Sequence, residues 1–120
     1  MFDPEFVSSI GSRDFDGKCN LKNSKLKSGY TTIMVYANWC GHCMSAKPIY
    51  NSLAKSTCCQ PRCACIDSDE NTELLEKFND NGIIVEGYPT FLQFKDGKYH
   101  RTFDGSYNDN KALRNFILGL

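Results

Sequence analysis

Nothing in this 120-residue sequence is apolar for anywhere near the ~18 residues that a membrane-crossing helix needs, which argues against a helical span. Charge of one sign is missing as well. Fourteen basic residues balance fourteen acidic ones, so no net field draws the chain to nucleic acid or to an anionic membrane surface. There is no internal repeat, low-complexity tract or linker, and 120 residues suit a single compact domain over 1–120. The start, Met1-Phe2-Asp3-Pro4-Glu5, lacks the basic head and apolar middle of a signal peptide. The end, Leu118-Gly119-Leu120, lacks a retention tetrapeptide and a prenylation cysteine. A trimmed leader leaves the same start, so the compartment stays open, with the cytoplasm favoured over the lumen of the endoplasmic reticulum. A monomer is expected.

Cysteine, in contrast, is abundant. Seven are present, and six of them, Cys40, Cys43, Cys58, Cys59, Cys63 and Cys65, lie between residues 40 and 65; only Cys19 stands apart. A disulfide-stapled secreted domain spreads its cysteines along the chain, so this clustering points to local chemistry. With 41% hydrophobic residues, eight Phe and six Tyr, the chain can build a core without staples.

Periodicity predicts the order of elements. Phe6 to Ile10 suits an edge strand, and Asn20 to Ser28 a weak helix ended by Gly29. The β-branched and aromatic run from Thr31 to Ala37 reads as a buried strand. Ala46, Ile49, Tyr50, Leu53 and Ala54 recur at helical spacing, placing a helix from about Cys40 to Ser56 with Pro48 inside it. Cys63 to Asp67 reads as a strand, and Leu74, Leu75 and Phe78 mark a helix ended by Asn81-Gly82. Thr90–Lys95 and Lys98–Phe103 form a hairpin around Asp96-Gly97. Leu113, Phe116, Ile117 and Leu120 mark a closing amphipathic helix. The order β-α-β-α-β-α-β-β-α predicts an α/β fold, a mixed sheet with helices on both faces.

A strand ending near Ala37 and a helix starting near Cys40 put the first sulfur of Trp39-Cys40-Gly41-His42-Cys43 at a helix N-terminus. Unpaired backbone N–H groups and the helix dipole favour a thiolate there, and the thiolate is the nucleophile. Cys40 is thus the attacking residue. Cys43, three residues on, is placed to resolve the mixed disulfide. His42 adds partial positive charge and hydrogen-bonding capacity beside the thiolate, with Gly41 completing the dipeptide. A lone CxxC is also half a zinc site; the strand before it and the helix after it favour redox chemistry.

Tyr36 to Cys43 resembles the active-site signature of the thioredoxin superfamily, and the Gly41-His42 dipeptide is similar to that of protein disulfide isomerase catalytic domains. Pro48 resembles the family's helix proline, Gly87-Tyr88-Pro89-Thr90 the loop whose cis-proline faces the active-site disulfide, and Phe91 to Lys98 the hairpin that follows. The resemblance covers residues from about 30 to 120. It implies a thioredoxin-like fold and thiol–disulfide exchange on protein cysteines through a Cys40–Cys43 dithiol/disulfide. No bound cofactor or metal is implied. The partners implied are cysteine-containing protein substrates and a thiol or disulfide redox partner. Trp39 would line the substrate-contacting surface, and Tyr88, Pro89 and Thr90 would pair with a substrate strand.

Two departures from the family stand out. The buried acid expected two residues before Tyr36 is Met34, which cannot relay protons for Cys43, and a lysine expected early in the third strand falls at Cys63. Both predict slow turnover. The segment from Phe78 to Pro89 also carries extra length. Thioredoxin-type and isomerase-type potentials differ by roughly 90 mV, about 4 kcal/mol for two electrons, and His42 in place of proline favours the oxidase/isomerase end. The alternatives are a binding module with little turnover and a redox or metal sensor.

Cys58 to Cys65 is unexplained by the resemblance. Buried or free thiols, a local disulfide and soft metal ligation all remain open for it. Cys63 and Cys65 should share one strand face. Cys19 reads as structural, with dimerisation through an exposed thiol as the alternative. His100 reads as an exposed strand residue, and Asp67, Asp69, Glu70 and Glu73 as decoration of a helix start.

Overall fold

The structure is a computed structural model that describes residues 2–57 and 62–120. Five strands form one mixed sheet in the order β1-β3-β2-β4-β5. They are β1 (Val7–Ser9), β2 (Tyr30–Tyr36), β3 (Arg62–Asp67), β4 (Thr90–Lys95) and β5 (Lys98–Thr102). β1 and β2 flank β3 in parallel, whereas β2–β4 and β4–β5 are antiparallel. The three helices are α1 (Gly41–Ser56), α2 (Thr72–Asp80) and α3 (Asn110–Ile117).

Strand alternation divides the core into two layers. Ile33, Val35, Ala64, Ile66 and Leu92 face one side, where Leu74 and Phe78 of α2 cover them. Met34, Cys63, Cys65 and Phe91 face the other, under Cys43, Ala46, Tyr50 and Leu53 of α1 and Leu113, Phe116 and Ile117 of α3. The expected helices on both faces are present. Tyr50, fully buried, holds its hydroxyl 2.8 Å from the Thr32 carbonyl and 2.9 Å from that of Ala64, joining α1 to β2 and β3.

Two expectations are corrected. The first helix, Asn20 to Ser28, does not form. Asn23 turns its side chain onto the Lys25 N–H, and the Leu21 N–H reaches the Gly97 carbonyl at 2.7 Å in the β4–β5 turn. These local and long-range bonds compete successfully with helical ones. A 3-10 turn at Ser12–Asp14 and a bridge between Phe15 and Leu21 shape this segment, burying Leu21 and Leu26 against the α2 side. Cys19, 1% accessible, fits the structural reading, and the alternative of dimerisation through an exposed thiol falls away.

Leu120 does not extend the closing helix, which ends at Ile117, and it is 76% exposed. Gly119, at φ 80°, reverses the chain, its N–H bonding to Phe116 O and that of Leu120 to Asn115 O. This pair of bonds needs the left-handed conformation that glycine adopts without a Cβ clash. Gly82, also at φ 80°, ends α2 in the same way and tucks buried Ile83 against Phe78.

Candidate functional site

The N-terminus of α1 meets the loop before β4 at the end of the sheet. Cys40 is the N-cap residue, in extended conformation at φ −93° and ψ 120°, and its N–H bonds to Ala37 O at 3.1 Å. Its thiol is half-exposed and donates to the Tyr88 carbonyl at 3.4 Å. The Tyr88–Pro89 peptide bond is cis. Thr90 opens β4, and its hydroxyl donates to Gly87 O at 2.6 Å, closing the loop on itself. The chain therefore brings Cys40 to the Tyr88-Pro89 loop across a separation of 48 residues.

The two cysteines differ in their surroundings. The backbone N–H of Cys43, its side chain and the backbone N–H of His42 lower the Cys40 pKa against a burial penalty. Cys43 is fully buried. Burial pushes its pKa up to about 11, with a further push from the Cys40 thiol; the Ala37 backbone and Lys47 act in the opposite direction. Cys19, Cys40, Cys43, Cys63 and Cys65 are all free thiols in this structure.

His42 is exposed and turns its ring outward, with Nδ1 3.3 Å from the Tyr107 hydroxyl. Its effect on Cys40 runs through its backbone N–H. Gly41 is the first residue of α1, and nothing lies within 4 Å of where a Cβ would sit. Trp39 is 71% exposed, stands edge-on to Tyr88 at 5.9 Å and donates its indole N–H to Asp69 at 3.3 Å.

Asp67 and Asp69 do more than decorate a helix start. Asp67 ends β3 and accepts from Asn38 at 3.1 Å, so the two acids hold both loop residues that precede Cys40. Only Glu73 lies in the first turn of α2. Nothing local in the sequence marks Asp69 or Tyr107 as site residues; they meet Trp39 and His42 across 30 and 65 residues.

Met34 lies at the floor of the site, fully buried and packed in the same cluster as Cys43. Its partner in β3 is Cys65, not Cys63, two residues away. Burial pushes Cys65 up to about 11, opposed by Ser9 and Lys47, and pushes Cys63 up to about 12, opposed by the Tyr50 hydroxyl. Both behave as small apolar residues of one strand face. Cys58 and Cys59, on which the disulfide and metal readings of that cluster depend, lie outside the described residues. Among the described residues no three His, Cys, Asp or Glu side chains gather into a metal-holding group, and no helix is long and apolar enough to cross a membrane. His100 is exposed on β5 beside the Tyr30 ring.

Comparison with known proteins is consistent with this geometry. The family model described as Thioredoxin matches residues 15–118. A thioredoxin domain-containing protein of Theileria parva is 33% identical over 102 residues, covering 82% of this chain and 44% of that protein. The protein disulfide-isomerase erp38 of Neurospora crassa is 35% identical over 103 residues, covering 82% of this chain and 26% of its own length. The chain thus spans less than half of these relatives. Among solved structures, a mutant thioredoxin from Halobacterium salinarum superposes with a TM-score of 0.68 at 25% identity, covering 99% of this chain and 94% of that one. Human ERp44 gives 0.72 at 19% identity, covering 92% of this chain and 29% of that one, a likeness of fold alone.

Proposed function

This chain belongs to the thioredoxin family, and from that premise we propose that it exchanges thiols and disulfides on protein substrates, Cys40 attacking and Cys43 resolving. Thioredoxin-family proteins work without a bound cofactor, through a redox-active disulfide. The observation that carries the reading is the Cys40 sulfur: it sits at the start of α1, its pKa is lowered by backbone N–H groups, and it lies 3.4 Å from the carbonyl of the cis-proline loop.

In the reducing direction the Cys40 thiolate attacks one sulfur of a substrate disulfide. A Cys40–substrate bond forms, the substrate S–S bond breaks, and the departing sulfur takes a proton from water. Cys43 then loses its proton and attacks the Cys40 sulfur. The Cys40–Cys43 disulfide forms, the second substrate thiol leaves, and two electrons have passed to the substrate. The oxidising direction is the reverse. A substrate strand laid against the backbone of Tyr88 and Thr90, with Trp39 at its edge, would hold its cysteine at Cys40.

We favour oxidase or isomerase chemistry over pure reduction. In the mixed disulfide Cys40 carries no charge, so its push on Cys43 ends, but burial, the larger cause, persists. Met34, packed in the same cluster, offers no carboxyl to take the proton. A thiol of pKa about 11 is ionised to about one part in ten thousand at pH 7. Slow resolution lengthens the life of the mixed disulfide, which gives a substrate time to rearrange its own pairing. The same slowness supports the second reading, a peptide-binding module with little turnover. Insulin reduction, refolding of a scrambled substrate and the reduction potential of the Cys40–Cys43 pair test both. No turnover by the wild type, or none lost in Cys40→Ser, removes the enzyme reading; a potential at the thioredoxin end removes the oxidase/isomerase preference.

A further inference from the structure

The charge of this chain sums to zero but is sorted by position. β2 and β3 run parallel, so both begin at one end of the sheet, beside the β4–β5 turn, and the Cys40 site lies at the other. Six exposed cations gather at the starting end. In the sheet, Arg62 of β3 stands beside Thr31 of β2, Lys95 of β4 beside Tyr30, and Lys98 of β5 beside Lys95. Lys25 and Lys27 join them on the α2 side. The turn that carries them closes on the Asn23 carbonyl, Leu26 between them is buried in the α2-side core, and the nearby Leu21 N–H holds the segment to Gly97. Lys55, in the last turn of α1, joins from the other side of the sheet.

Carboxylates at this end are few and engaged. Asp96, in the β4–β5 turn, accepts the Gly29 N–H at 2.8 Å. Asp16 and Asp80 stand on the flank around Cys19, with Lys18 and Lys77 close by. Among the described residues none of the six cations forms an ion pair. The opposite end carries Asp67, Asp69, Glu70 and Glu73, where β3 finishes and α2 starts. A net charge of zero is thus an average over two unlike ends.

Two observations choose among anionic partners. The cations spread in two dimensions: the row from Arg62 to Lys98 crosses four strands, about 14 Å at the usual strand spacing, and lysines stand on both sides of the sheet. A single phosphate backbone calls for a line of cations, whereas a layer of lipid headgroups calls for a spread. Nucleic-acid bases also need an open aromatic face to stack on. The ring in this patch, Tyr30, has Lys95 Nζ 5.5 Å from its centroid and the His100 ring at 5.9 Å.

We propose that this end of the domain is a docking surface for an anionic lipid bilayer. Repulsion of the acidic far end by the same bilayer sets the orientation. The seven residues of β2 then hold Cys40 about 20 Å from the contact, facing water. The surface stands whether or not Cys40 exchanges disulfides.

Cosedimentation with vesicles tests it. At low salt, vesicles with about a third phosphatidylserine should bind the protein at least about tenfold better than phosphatidylcholine alone, and the difference should vanish near about 0.5 M salt. Lys25→Gln/Lys27→Gln/Lys98→Gln should lose about tenfold in binding, the same three positions changed to arginine should keep it, and Lys111→Gln in α3 should stay within about twofold. Trp39, the single tryptophan and 71% exposed at the far end, should be as open to acrylamide quenching on the vesicle as in solution. The wild-type arms, salt and quenching, decide the matter even where a variant folds poorly. No preference for the anionic vesicles, an equal loss in Lys111→Gln, or shielding of Trp39 overturns the proposal. Tighter binding to single-stranded RNA or to polyglutamate than to the vesicles overturns it too, by giving the surface to another class of partner.

Discussion

At the mouth of the site Cys40 sits half-exposed among backbone N–H groups, whereas Cys43, three residues on, is buried on the inner face of α1 in the same cluster as Met34. The same functional group is driven in opposite directions, below its ordinary pKa at the mouth and up to about 11 at the floor. Cys63 and Cys65 extend the floor, pushed up to about 12 and about 11 by the same loss of water. Position within the fold, more than residue identity, separates a half-exposed, readily ionised thiol from buried ones. The floor also carries the departure that bears most on rate, because a methionine stands where a proton acceptor would help.

The contrast breaks most severely if the mouth is removed. Cys40→Ser should lower exchange activity by on the order of a thousandfold or more. Cys43→Ser should keep the first attack and accumulate a mixed disulfide, visible by mass spectrometry. Activity retained in Cys40→Ser would place the nucleophile elsewhere.

The pH dependence of alkylation reads the two environments directly. Each thiol reacts as its thiolate, so its rate climbs as pH rises through its pKa. With Cys40 below its ordinary value and Cys43 near 11, initial alkylation at pH 7 should favour Cys40 by about a hundredfold or more. Peptide mapping after brief iodoacetamide treatment measures the ratio, and comparable labelling of both would erase the distinction between mouth and floor.

Met34→Asp should narrow the gap by giving the floor an ionisable group. Resolution of a preformed mixed disulfide should quicken by about tenfold near pH 7. The buried carboxyl should at the same time cost about 2 kcal/mol or more of stability, read from the urea midpoint. A resolution rate that does not change would mean that proton removal is not the slow step.

Smaller changes sharpen the picture. Tyr50→Phe removes the hydroxyl between the Thr32 and Ala64 carbonyls and should cost about 1 kcal/mol in urea unfolding while leaving Cys40 alkylation intact. Tyr107→Phe removes an exposed 3.3 Å contact to His42 and should leave Cys40 alkylation within about twofold. A larger change would give the His42 ring a role that its outward pose does not suggest.

Much of the fold was legible because its signals are local. The β-branched run became β2, the Asp96-Gly97 turn joined β4 to β5, and Asn81-Gly82 ended α2. Asn20 to Ser28 misled because its backbone is tied to Gly97, far along the chain, and its leucines are buried from there rather than by helical spacing. Leu120 misled because Gly119 turns the chain before the apolar period is complete. In the site, the Trp39–Cys43 motif and the Tyr88-Pro89 loop were readable one by one. Asp69 and Tyr107 were not, since each is an encounter between segments with no mark of its own.

The sequence alone determined the pair Cys40 and Cys43, the helix that begins between them, and the absence of an acid at Met34, because residue identity and short-range spacing are written in the chain. Tertiary structure decided how different those two thiols are. Burial and the direction of backbone N–H groups set a thiol's charge, and both depend on which distant strand, loop and helix close around it.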